Sequence, residues 1–151
     1  DAYHMTAPEP SGEGVARAMR QALEEGGFTP DDLGHLERAR HRHAGQRLPR
    51  ACQGAAGAVR RGGGIPDPGD VGEGTTATRC GAAGAIEAIV TALSVMNDCV
   101  PPTAGFAEAD PECPVSVVTE AKTGYPQKVA LSNSLGFGGH NASLALSPYR
   151  A

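Results

Sequence analysis

Gly136-Phe137-Gly138-Gly139 is the stretch of this chain whose residue types and spacing are best suited to chemistry. It joins two runs, "KVALSNS" and "NASLALS", that alternate as the strands of a hairpin do. A plain Asn-Gly turn would close such a hairpin. An aromatic ring among glycines at a turn is poorly placed for a core. It is well placed to swing, or to present its backbone N–H to a ligand. Gly136, Gly138 and Gly139 give the backbone the freedom such a corner needs. Taken alone, the corner reads more simply as a glycine hairpin with a half-buried Phe137.

The other reactive side chains form no set. Cys52, Cys80, Cys99 and Cys113 have no CxxC spacing, which argues against a zinc ribbon or a thioredoxin-type site, and they read as free, partly buried thiols. No His/Cys/Asp/Glu group has metal-ligand spacing, and no phosphate-cradling loop appears, so neither a metal nor a cofactor is expected. His4 reads as a surface or core-edge histidine, and His140 as a structural hydrogen-bonder beside the corner. With no signal peptide and no long apolar run, the expected setting is the reducing cytoplasm, away from membrane.

The chain has 151 residues, enough for one domain, and a formal net charge of −4, which does not suit a nucleic-acid binder. Arg38, Arg40, Arg42, Arg47, Arg50, Arg60 and Arg61 are seven of the 13 basic residues, and His41 and His43 sit among them. No aromatic interleaves this cluster to stack bases, so it reads as a solvated loop and not as a nucleic-acid site. Residues 37–74 have lost apolar periodicity and are expected to be disordered or irregular.

The positioning elements are clearer. "SGEGVARAMRQALEEGG" predicts a helix with Val15, Ala18, Met19, Ala22 and Leu23 on one face and a left-handed stop at Gly26-Gly27. "TPDDLGHL" predicts a new helical start, with Thr29 as N-cap and Pro30 in the first position. "CGAAGAIEAIVTALSVM" predicts a second helix with a wide apolar stripe, Ala82, Ala85, Ile86, Ile89, Val90, Leu93 and Met96, buried against a sheet. Its side-chain-poor beginning lets it lie close to another backbone. "VPPTAGF" is an extended link, and "CPVSVVTEA" a short strand. Helices alternating with strands give a layered α/β class. The start at Asp1, inside "DAYHMTAP", predicts that a partner half is missing.

In order along the chain, "DAYHMTAPEPSGEGVARAM", "GAAGAIEAIVTAL", "VPPTAGF", "DPECPVSVVTEA" and "LSNSLGFGGHNASL" resemble the C-terminal half of the type II β-ketoacyl-ACP synthases, thiolase-fold condensing enzymes. Residues 1–36 and 81–151 carry the resemblance. It implies helices packed on the mixed sheet of a thiolase-like layered fold, with only the C-terminal half present. It also implies a decarboxylative Claisen condensation of acyl and malonyl thioesters in fatty-acid or polyketide synthesis. The implied partners are acyl carrier protein thioesters and the absent N-terminal ketosynthase half, with a homodimer in the intact family member. The nucleophilic cysteine belongs to that absent half. At the corner, the resemblance makes the Phe137 N–H part of the oxyanion hole and the ring a gate for the acyl chain.

Two departures stand against this pattern. The family's first catalytic histidine, in a segment like "NAHGTxT", falls on Ala39 within "ERARHRHAG". The lysine of "TKxxxGHxxGAAGA" falls on Arg79, and the segment carrying the second histidine is lacking. Arginine, permanently charged and planar, is not a neutral replacement for that lysine. Back-translated with suitable codons and read one base later, "ERARHRHAGQRLPR" becomes Asn-Ala-His-Gly-Thr-Ala-Thr-Pro-Ala-Asn-Asp. A frameshift, in the gene or in its sequencing, is therefore expected from near Glu37 and over by Gly81. The chain alone is expected to be inactive. The alternative is a non-catalytic ketosynthase remnant or chain-length-type partner that packs on an intact ketosynthase.

Overall fold

The computed structural model describes residues 3–5, 9–38, 66–67, 82–103 and 116–149. Its centre is a mixed three-stranded sheet in the order β1-β6-β7, formed by β1 (Leu33–Arg38), β6 (Val129–Gly136) and β7 (His140–Leu146). β1 runs parallel to β6, and β6 antiparallel to β7. Two short ladders complete the described strands. β2 (Pro66–Asp67) pairs in parallel with β4 (Ser116–Val117), and β3 (Cys99–Val100) antiparallel with β5 (Lys122–Thr123).

α1 (Glu13–Glu25) follows from its sequence. Met19 and Leu23, four residues apart, share a face and are fully buried. They pack with Leu33, Val129 and Leu131 from the sheet, and Val15, Ala22, Phe28, Leu36 and Ala145 close the edges. The stop is a Schellman motif. Gly27 takes the left-handed conformation (φ 73°), its N–H donates to the Glu24 carbonyl, and Phe28 N–H reaches back to the Leu23 carbonyl at 2.8 Å. Phe28 then turns its ring into the same cluster.

The predicted second helical start is only a 3-10 turn, Pro30–Asp32. Thr29 caps it reciprocally, the Asp32 carboxylate accepting from both the Thr29 N–H (3.0 Å) and hydroxyl (2.8 Å). The chain then leaves as β1. "LGHLER" became a strand because it lies beside β6, a partner 96 residues away that no local pattern shows.

α2 (Ala83–Met96) corrects the expectation for its stripe. The helix does lie on the sheet, on the face opposite α1, but the residues it buries there are Glu87, Thr91, Ser94 and Val95. Ile89, Leu93 and Met96 are exposed. The inward polar groups find local partners. The Thr91 hydroxyl donates to the Glu87 carbonyl at 2.8 Å, and the Ser94 hydroxyl to the Cys99 carbonyl at 2.6 Å. The first turn is close to the sheet, as its small residues predict: a Cβ on Gly84 would lie 3.0 Å from Ser134 Oγ.

The two faces of the sheet thus differ in character. Alternation along β6 sends Val129 and Leu131 to the apolar α1 side, and Ser132 and Ser134 to the polar α2 side. On β7 the same alternation leaves Ala142 and Leu144 exposed and turns Ala145 toward α1. Of residues 37–74, Glu37 and Arg38 end β1 and Pro66–Asp67 forms β2; the others lie outside the described residues.

Candidate functional site

The corner closes a regular hairpin. Pairing runs without a break from Ala130↔Leu146 to Gly136↔His140, so Phe137, Gly138 and Gly139 alone make the connection. Gly138 (φ 81°) and Gly139 (φ 77°) both occupy the left-handed region, which a side-chain-bearing residue adopts only at a cost. Gly136 is needed for a different reason: a Cβ there would meet His140 Cβ at 3.3 Å. The Gly138 N–H donates to the Met5 carbonyl at 2.8 Å, and the Asn141 amide donates to the Gly139 carbonyl at 3.3 Å. The corner is therefore held from two sides while the Phe137 ring stays 56% exposed. Tyr3 and Met5, on the segment that grips it, are exposed as well.

The structure places Gly136 at the end of β6 and Phe137, Gly138 and Gly139 in the connection to β7. The family's histidine and lysine positions, Ala39 and Arg79, lie outside the described residues, as do Cys52, Cys80, Cys113, His41 and His43. Cys99 is a half-buried free thiol on β3. His4 is exposed near the corner segment, and His140 is exposed at the first position of β7. Among the described residues, no three His, Cys, Asp or Glu side chains could hold a metal ion, and no helix is long and apolar enough to cross a membrane.

Sequence reasoning missed a buried polar cluster on the α2 side of the sheet. His35 and Glu37 of β1, Glu87 and Ser94 of α2, Gln127, and Ser132 of β6 are all buried there. Ser134 Oγ lies 3.5 Å from the Glu87 carboxylate. His35 Nδ1 bonds Gln127 Oε1 across 92 residues of chain. Burial holds the His35 pKa below the ordinary imidazole value, opposed by the Gln127 bond. On the surface, Lys128 reaches Asp32 at 2.6 Å. That ammonium, with the two Thr29 donors, pushes the Asp32 carboxyl well below its usual range.

The arrangement has known relatives. A family model described as "Beta-ketoacyl synthase, C-terminal domain" matches residues 1–40. The 3-oxoacyl-[acyl-carrier-protein] synthase 2 of Staphylococcus aureus (strain COL) is 38% identical over 158 aligned positions, covering 100% of this chain and 36% of that enzyme. The chain belongs to the C-terminal part of the β-ketoacyl synthase family. Ketosynthase structures agree on the thiolase-like fold. A solved structure described as the ishigamide ketosynthase/chain length factor superposes with a TM-score of 0.85 at 28% identity, over 99% of this chain and 36% of that one. A type II polyketide acyl-carrier protein in complex with its ketosynthase, bound to the hexaketide, gives 0.80 at 25%, over 99% of this chain and 36% of the matched one. This ketosynthase segment thus spans about a third of the length of the curated relatives it matches.

Proposed function

We propose that this chain is the C-terminal part of a 3-oxoacyl-acyl-carrier-protein synthase of fatty-acid or polyketide synthesis, working in the cytoplasm without metal or cofactor. Its contribution to the chemistry is the corner at Phe137. In this reading, a cysteine thiolate of the N-terminal part attacks an acyl-carrier-protein thioester and releases the carrier thiol. Malonyl thioester then loses CO₂, and the enolate carbon attacks the acyl-cysteine carbonyl, forming the new C–C bond and releasing the cysteine. The Phe137 N–H stabilises the oxygen that gains charge at the acyl thioester, and its ring gates the acyl chain. The observation that carries the reading is a corner with two left-handed glycines, anchored from outside, that leaves a large ring exposed.

The N-terminal ketosynthase part is the proposed cover for the outward face of α2. Ile89, Leu93 and Met96 are exposed there, although a helix of this composition belongs in an interior. The intact protein is proposed to be a homodimer that engages acyl carrier protein.

As it stands, the chain is proposed to lack condensing activity, because Ala39 and Arg79 occupy the positions of a histidine that hydrogen-bonds the enolate oxygen and of a lysine that serves the malonyl thioester. The family-model match ends at residue 40, beside the point where the reading frame is inferred to change. A second reading is also supported by Ala39 and Arg79: a non-catalytic, chain-length-type partner that packs on an intact ketosynthase. One experiment separates them. The chain, and a version with its frame restored, are each produced with the N-terminal part of a 3-oxoacyl-acyl-carrier-protein synthase and assayed with acyl- and malonyl-carrier protein. Condensation by the restored version alone supports the enzyme reading. Failure of both, with each nevertheless raising the activity of an intact ketosynthase, supports the partner.

A further inference from the structure

β1 carries an irregularity that decides which of its side chains face which helix. Leu33 pairs with Val129, yet His35 pairs with Ala130, so β1 advances two residues where β6 advances one. The extra residue is Gly34. This bulge lets Leu33 and Leu36, three positions apart, both reach the α1 cluster, and it sends His35 and Glu37 to the α2 side. Without it, strict alternation would place Leu33, His35 and Glu37 on one face, and the two charged-type side chains would enter the apolar core.

Gln127 sits against the bulge. A Cβ on Gly34 would lie 2.9 Å from both Cβ and Cγ of Gln127, so the glutamine side chain fills the space a side chain at 34 would need. Its amide is buried and orientated on three sides. Nε2 lies 3.3 Å from the Ser94 carbonyl near the end of α2, and 3.2 Å from the Cys99 carbonyl of β3. Two acceptors fix the NH₂ end, so Oε1 must accept, and its partner is His35 Nδ1. The Tyr125 hydroxyl donates to the Gly34 carbonyl at 3.4 Å and supports the bulge from the β5–β6 turn.

We propose that Gln127 is a positioning residue that locks the register of β1 on β6, holding His35 as the neutral imidazole protonated at Nδ1. The lock joins β1, β3, α2 and the approach to β6 through one amide. The lock does not depend on the ketosynthase reading. Titratable groups on the surrounding elements are Glu37 on β1, Glu87 on α2, Cys99 on β3 and Tyr125 in the β5–β6 turn.

The test uses the chain itself, labelled with ¹⁵N-histidine. Long-range ¹H–¹⁵N correlations are predicted to show His35 protonated at Nδ1 and bare at Nε2, and to show it titrating below the ordinary imidazole value. In Gln127→Leu the Nδ1 proton loses its acceptor, so the tautomer signature changes. Amide exchange across Leu36–Arg38 should quicken at least tenfold, while Met19–Leu23 keep their protection. Should Gln127→Leu fail to fold, Gln127→Glu keeps an acceptor toward His35 but loses the amide donor toward the Ser94 and Cys99 carbonyls. It is predicted to retain the Nδ1–H signature while amide exchange across Leu36–Arg38 quickens. A wild-type His35 protonated at Nε2, or a Gln127→Leu chain with unchanged signature and exchange, overturns the proposal. So does a Gln127→Glu chain that loses the Nδ1–H signature. None of these results depends on condensing activity.

Discussion

Gly84 of α2 lies directly over Ser134 of β6, so close that a Cβ at 84 would stand 3.0 Å from the serine Oγ. Alanine at this position gains roughly 0.5–1 kcal/mol of helix propensity. It also forces Ser134 to shift by a few tenths of an ångström from its place 3.5 Å from the Glu87 carboxylate. Gly84→Ala is therefore expected to change stability by less than about 1 kcal/mol. Gly84→Val, which adds two methyls that no rotation of the serine can clear, should cost about 1–3 kcal/mol. Urea unfolding of the two variants checks this. Equal midpoints would mean that the helix is not in close contact at its first turn.

The inverted α2 makes an unusual pair of expectations. Leu93→Ser changes an exposed apolar residue and should leave stability within about 0.5 kcal/mol while lowering the binding of an apolar dye. Ser94→Ala removes a buried hydroxyl that donates to the Cys99 carbonyl, and should cost about 1 kcal/mol. The reverse order of costs would mean that the helix turns its apolar stripe inward after all.

The stability of the chain should depend on pH in a stated direction. The folded-state pKa of His35 is lowered from the usual 6.5, mainly by burial. As pH falls below about 6.5, the unfolded chain takes up a proton that the folded chain refuses, so stability is full above that pH and is lost below it. The slope approaches about 1.4 kcal/mol per pH unit for one proton. Asp32, also lowered, adds stability above the usual carboxylate pKa, and this is lost only in stronger acid. Urea midpoints at pH 5, 6, 7 and 8 check the first window. A His35→Gln chain with the same slope between pH 5 and 6.5 would assign the effect to another group.

How far the fold could be read from the sequence depended on whether the deciding contacts were local. Met19 and Leu23 on one helical face, the Gly27 stop, the Thr29–Asp32 cap and the hairpin around Gly138-Gly139 are all set within a few residues. β1 was not legible, because "TPDDLGHL" carries a good helical start and its strand character comes from β6, across most of the chain. The orientation of α2 was misread for a related reason. Amphipathic patterning assumes that the apolar stripe faces inward, but here Glu87, Thr91 and Ser94 go in, beside Ser134 of β6, the Glu87 carbonyl of the helix itself, and Gln127 and the Cys99 carbonyl next to the sheet. In the candidate site, Phe137 announced itself by its glycines. His35 and Gln127 could not, since 92 residues separate them.

Phe137→Ala should separate gating from folding. The ring is exposed, so its removal should cost well under the 3–5 kcal/mol of a buried phenylalanine. In the frame-restored protein joined to its N-terminal part, acyl transfer should slow or lose chain-length control, while the melting temperature moves little. The backbone donor survives in alanine, so the loss should be smaller than the roughly 10²–10³-fold expected for removing an oxyanion donor outright. A variant that unfolds while its remaining folded fraction loads acyl chains normally would make Phe137 a structural residue only.

In the proposed reading, the nucleophile belongs to the N-terminal part of the synthase. Incubated alone with acyl-carrier protein, this chain should form no acyl adduct on Cys52, Cys80, Cys99 or Cys113, as read by intact-protein mass spectrometry. A stable adduct on any of them would show that the family correspondence has been drawn in the wrong place.

In the proposed reading this is a condensing-enzyme segment whose first histidine motif has gone out of frame, and the nucleotide sequence from Leu36 to Gly81 tests that most directly. Moving the frame by one base near Glu37 should read Asn-Ala-His-Gly-Thr onward, and the original frame should resume by Gly81. Codons whose shifted frames yield no such motif would contradict it, and would leave Ala39 and Arg79 as genuine residues of a non-catalytic partner.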